Sequence, residues 1–122
     1  MDASVLRKII GDDEASVREF LALFRQTAQR QRAEMHAACA RGEGHQSAAV
    51  AHKLKSSARS IGAQALAEFC VEIESAVTAG NLALLREPLV AFDVEWQREK
   101  LAIDAYLGDG CLLYTSPSPR DS

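Results

Sequence analysis

A chain of 122 residues, 48% hydrophobic and 25% charged, has the length for one domain around a single modest core. Its net charge of −3 comes without a block of like charge, which excludes the basic face that a nucleic-acid binder needs. No apolar run is long enough to span a bilayer, and MDASVLRKII lacks the basic start and apolar middle of a signal peptide, so the expected location is cytoplasmic.

Only seven Gly and three Pro interrupt a chain rich in Ala, Leu, Glu, Gln and Arg, which predicts an all-α protein. Ser4 to Ile10, with Val5, Leu6, Ile9 and Ile10 on one side, reads as a short helix stopped by Gly11. Asp12 or Asp13 caps a long helix whose stripe runs through Val17, Phe20, Leu21, Phe24, Ala28, Met35 and Ala38 and ends near Arg41-Gly42. Gly44 to Ser47 is read as a turn. The next helix, from about Gln46 to Ser60, turns Val50, Leu54, Ala58 and Ile61 inward and is closed by Gly62.

Gln64 to Thr78 carries the clearest stripe, Leu66, Phe69, Cys70, Ile73 and Val77, and Ala79-Gly80-Asn81 ends it. Proline is well placed only in a first helical turn, so Pro88 predicts a short helix from Leu82 and a long one continuing through Leu89, Phe92, Trp96, Leu101 and Tyr106 to Leu107. Four amphipathic helices with short connections predict an antiparallel up-down four-helix bundle, with the N-terminal helix across one end. The domain is expected to span residues 1–110. Residues 111–122, CLLYTSPSPRDS, drop the helical pattern and are expected to be a disordered tail; they resemble the in-frame translation of a sequencing-library adapter, which would place them outside the natural protein, and a natural disordered tail is the alternative.

Chemistry concentrates in AHKLKSSARSIGA, residues 51–63. With Leu54 as reference, Val50, Ala51, Ala58 and Ile61 fall within about 60° on the helical wheel, while His52 lies about 160° away. His52 therefore faces outward, together with His45, Ala48, Ala49, Lys55, Ser56 and Arg59. Small residues leave the ring open, and cations follow one and two turns later. A neutral imidazole has an in-plane lone pair and needs no general base to act as a nucleophile. It needs an acceptor on its other nitrogen to fix the tautomer, and positive charge near the oxygens of an incoming phosphoryl group. From spacing alone, an idle surface histidine explains His52 as well.

The run His52-Lys53-Leu54-Lys55-Ser56-Ser57, followed by Ile61-Gly62-Ala63, resembles the motif of histidine-containing phosphotransfer (HPt) domains. Leu66, Cys70, Ile73 and Glu74, then Ala79-Gly80-Asn81, are similar to that family's next helix and closing turn, and Phe20-Leu21 and Phe24 to its long preceding helix. The resemblance covers about residues 4 to 107. It implies that His52 is the phosphoacceptor, that Lys55 places charge on the phosphoryl group, and that Glu74 orients His52 through Nδ1. It further implies a docking face of Ala48, Ala49, Lys53, Ser56 and Arg59 for response-regulator receiver domains, one of which can belong to a hybrid sensor kinase. Ser56 departs from the family's usual glycine and is expected to tune transfer.

The implied role is that of a phosphorelay intermediate between receiver aspartates, with no autonomous kinase activity. No cofactor is expected on this chain, and the divalent metal is expected on the receiver. The chain is read as a monomer that binds neither nucleic acid nor membrane. Two alternatives stay open: a non-catalytic helical adaptor, and a dimerisation and phosphoacceptor fragment of a histidine kinase, although the proline common after a kinase histidine is absent from residues 53–57. No metal site is expected from His45 and His52, which lie about 10 Å apart along the helix axis. Cys70 belongs to the apolar stripe as a small core residue.

Overall fold

Each long helix starts or stops where the sequence supplies a substitute for the missing hydrogen-bond partner. The computed structural model describes residues 1–108; Gly110 as a domain end, the tail 111–122 and Cys111 lie outside the described residues. The elements are α1 (Ala3–Ile10), α2 (Glu14–Ala40), α3 (Gly44–Ser60), α4 (Gln64–Thr78), a 3-10 turn (Leu82–Leu85) and α5 (Arg86–Leu107), so the described residues are all helical, without strands. The carboxylates of Asp2 and Asp13 accept from the backbone N–H of Ser4 and Ser16 and cap α1 and α2. The Asn81 side chain accepts from Ala83 and starts the 3-10 turn.

The start of α3 departs from expectation, because the helix begins at Gly44 and no turn spans residues 44–47. Glu43 supplies no side-chain cap, and packing takes its place. Gly44 is pressed so close to Leu82 that a Cβ would come within 2.7 Å of its side chain, and buried Ser47 donates to the Met35 carbonyl at 2.8 Å. Before Pro88, the expected short helix is a single 3-10 turn. α5 itself starts at Arg86, which leaves Pro88 in the first turn, where a missing N–H costs nothing.

α2 packs on α3, α3 on α4, α4 on α5, and α5 returns to α2. Leu21, Phe24, Val50, Leu54, Leu66, Ile73, Phe92 and Trp96 meet inside that ring, and burial of such side chains is the main drive for folding. Phe24 and Trp96 meet edge to face, with ring centroids 6.1 Å apart, and the Trp96 indole N–H donates to Gln29 at 2.8 Å. Phe20, Phe69 and Val77 flank the core half-buried. Leu101 is 62% exposed, and Ile103 is the residue that continues the inward face of Trp96 and Glu99.

α1 packs against α2 and α3. The Asp2 N–H donates to the Ile61 carbonyl at 2.7 Å, and Arg7 bonds both Glu14 and the Tyr106 hydroxyl. α1 thereby clamps the turn that follows α3.

Candidate functional site

α3 holds its inner face by Val50, Ala51, Leu54 and Ala58, all buried, and that anchoring fixes the opposite face outward. On that face the His52 side chain is 69% exposed. α4 is anchored in the same way by Leu66, Cys70 and Ile73, and Glu74, one residue beyond Ile73, emerges beside the α3 surface.

The structure brings three of the sequence-derived residues together. His52 Nδ1 lies 3.0 Å from Glu74 Oε2, and the Lys55 ammonium donates to Glu74 Oε1 at 2.8 Å. One carboxylate thus engages a ring nitrogen and a cation, one on each oxygen. Burial by itself would raise the Glu74 carboxyl, but the hydrogen bonds from Lys55 and His52, and then their charges, outweigh it and hold the group below the usual glutamate range. An ionised carboxylate can only accept, so the proton of this contact sits on Nδ1. In a neutral ring the lone pair is then on Nε2, on an imidazole that is mostly in solvent.

Ala49, Lys53, Ser56 and Arg59 are exposed and Ala48 is half-buried, all on α3 with His52. Lys55 is more enclosed than the sequence pattern implied: its side chain is 18% exposed and its ammonium is spent on Glu74 in this state. Beneath the group, Cys70 is fully buried, and burial first, then the Glu74 charge, pushes its thiol up to about 12, so it stays an unreactive thiol. Among the described residues, no three His, Cys, Asp or Glu side chains gather to hold a metal ion.

Sequence reasoning missed a second histidine–carboxylate pair. His36 Nε2 lies 2.9 Å from Asp93 Oδ1, which also accepts from Arg32 Nε at 2.7 Å. This group ties α2 to α5, and the His36 side chain is 37% exposed against 69% for His52. His36 sits four residues after Arg32, and that helical spacing was the only signal in the sequence. Also missed were the buried carboxylates Glu99, paired with the Met1 amine, and Asp104, paired with Arg25 and Lys100.

No helix among the described residues is long and apolar enough to cross a membrane. Comparison with curated proteins and with solved structures finds no match. A family model described as Hpt domain matches residues 19–106, which takes in α3, α4 and the whole His52 group.

Proposed function

Because the chain belongs to the Hpt domain family, phosphotransfer modules of two-component systems that lack kinase activity and work with receiver domains, we propose that it is a phosphorelay intermediate with His52 as its phosphoacceptor. The observation that carries this reading is the exposed His52 ring held at Nδ1 by Glu74, 3.0 Å away. With the proton on Nδ1, the Nε2 lone pair attacks the phosphorus of a receiver's aspartyl phosphate. The P–Nε2 bond forms, the bond from phosphorus to the aspartate oxygen breaks, and the aspartate leaves as a carboxylate. The ring keeps its Nδ1 proton, and Glu74 balances the positive charge that phosphorylation places on the imidazole. Transfer to a second receiver aspartate runs the same steps in reverse, and the divalent ion belongs to the receiver.

Lys55 lies one turn beyond His52, and an arriving phosphoryl group with about two negative charges competes with the single charge of Glu74 for its ammonium. Lys55 turns from Glu74 Oε1 toward the phosphoryl oxygens. Ala48, Ala49, Lys53, Ser56 and Arg59 form the docking face, where small side chains allow close approach and cations complement an acidic receiver pocket. The helix ring, with its short connections, is read as the antiparallel up-down arrangement that holds α4 alongside α3.

The test is transfer from a panel of phosphorylated receivers to the folded chain. Acid-labile, alkali-stable label is expected on wild type and lost in His52→Gln. A folded chain that takes label from no receiver, or labels equally well without His52, refutes the reading. Label taken directly from ATP, with no donor protein, would instead support a kinase fragment.

A further inference from the structure

The core side of α5 is Leu89, Phe92, Trp96, Glu99 and Ile103, and its outward side should be polar in a helix that meets only water. It is not. Leu84, in the 3-10 turn that leads into α5, and Val94 and Leu101 within α5 are 52%, 55% and 62% exposed. Within α5, Glu87, Ala91, Val94, Arg98 and Leu101 follow one another at steps of four, three, four and three, the spacing of a two-stranded coiled-coil seam, and Leu84 precedes them by three residues in the 3-10 turn. Leu84, Glu87 and Ala91 already share one groove of about 590 Å³ between α5 and α4, with Phe69, Ala76 and Pro88 in its walls.

The seam is complementary to itself. Run antiparallel about a two-fold axis midway between Ala91 and Val94, it sets Leu84 against Leu101 of a second copy, Glu87 against Arg98, and Ala91 against Val94, each pair occurring twice. The two ends are then apolar, the two intermediate layers are oppositely charged, and the centre packs a small residue against a larger one. Among the described residues Arg98 makes a loose contact with Glu95, at 3.5 Å, and its side chain is 75% exposed. A parallel pairing would set Glu87 against Glu87 and Arg98 against Arg98, which repel. The sequence thus selects direction as well as partner.

We propose that the outward face of α5 is a homodimer interface, closed by a second copy of this chain in antiparallel register. This departs from the monomer expected from sequence. The α5 part of the seam, Glu87 to Leu101, is about 21 Å long at the α-helical rise, and so narrow a contact falls short of the about 1,000 Å² of a stable interface. The dimer is therefore transient. It also leaves the relay face open: Glu72, in the groove, and Glu74, against His52, are about 200° apart around α4. Two copies joined through α5 keep both His52 rings accessible.

Sedimentation equilibrium of the full chain between roughly 10 µM and 1 mM, at low and high salt, tests this. A monomer–dimer equilibrium is expected, weaker in salt. Glu87→Arg and Arg98→Glu should each loosen it roughly tenfold or more, and the double charge swap should restore it to within about threefold of wild type. Both positions are solvent-exposed, so the helical circular dichroism should not change. A wild-type chain that stays monomeric throughout, single reversals that leave association unchanged, or a swap that fails to restore it overturns the proposal. Association is read without any phosphoryl donor, so this outcome is independent of the His52 reading.

Discussion

Replacing Glu74 by alanine separates the nucleophile from the group that orients it. The substitution removes a hydrogen bond from His52 Nδ1 to a charged oxygen 3.0 Å away. Such bonds contribute about 1.5–3 kcal/mol when enclosed. Here the imidazole is 69% and the carboxylate 26% exposed, and solvent screening reduces the contribution to about 1 kcal/mol. That corresponds to roughly a fivefold bias toward the tautomer with its lone pair on Nε2. Glu74→Ala should therefore reduce that tautomer about fivefold relative to the other, and slow phosphoryl uptake from a small-molecule phosphoramidate by up to about that factor. His52→Gln should abolish uptake. Glu74→Gln keeps one oxygen acceptor, but its amide N–H₂ and the Lys55 ammonium are both donors, so it can satisfy His52 or Lys55 and falls between wild type and Glu74→Ala. Nitrogen NMR of the imidazole reads the tautomer ratio, and the same samples give the uptake rate. An unchanged ratio and rate in folded Glu74→Ala would refute the orienting argument while leaving the nucleophile in place.

Acid titration should show two opposing limbs. Burial would raise Asp93 and Asp104, but hydrogen bonds from Arg32 and His36 to the first, and from Arg25 and Lys100 to the second, hold both below the ordinary aspartate value of 3.8. Their contribution is present above about that pH and lost as pH falls through the lower folded values, so Asp93→Asn should flatten the acid limb of urea unfolding. Glu95 is raised above its ordinary 4.5 by burial and then by Glu99, so its contribution is full below that pH and is lost as pH rises through the folded value. Glu95→Gln should then raise Tm at neutral pH, and an unchanged Tm would contradict this. Gly62 has φ +73° and would place a Cβ 2.7 Å from that of Asp2; Gly62→Ala should cost about 1–2 kcal/mol and speed hydrogen exchange in Ala3–Ile10, whereas unchanged protection there would refute the clamp.

Helix positions were legible because two signals agreed: apolar residues every three or four positions, and residues that stop or start a helix at each end. Gln64 to Thr78 carries both and coincides with α4. Where a boundary depends on contacts distant in sequence, local reading failed. Nothing near Gly44 indicates that Leu82 packs against it, or that Ser47 bonds the Met35 carbonyl, and those contacts set the start of α3. Hydrophobicity marks both Leu101 and Ile103 as able to be buried, and only the angle from Trp96 shows that Ile103 is the one that faces inward. The buried charges were invisible because their partners come from other elements, Arg25 on α2 for Asp104 on α5.

The site follows the same division. The outward angle of His52 depends only on α3's own period, so the helical wheel finds it. The pairing of Glu74 with His52 spans 22 residues and two helices, so it depends on how α3 and α4 pack together. The enclosure of Lys55 depends on the same packing. Ala58, Ala67, Cys70 and Ala76 are small residues buried on these two helices, and small side chains let helix axes approach closely. Close approach is what allows the short reach of Glu74 to span from α4 to the His52 ring and Lys55. On this argument, enlarging Ala58 or Ala67 would act at the imidazole without touching it, by widening the helix spacing that the carboxylate bridges.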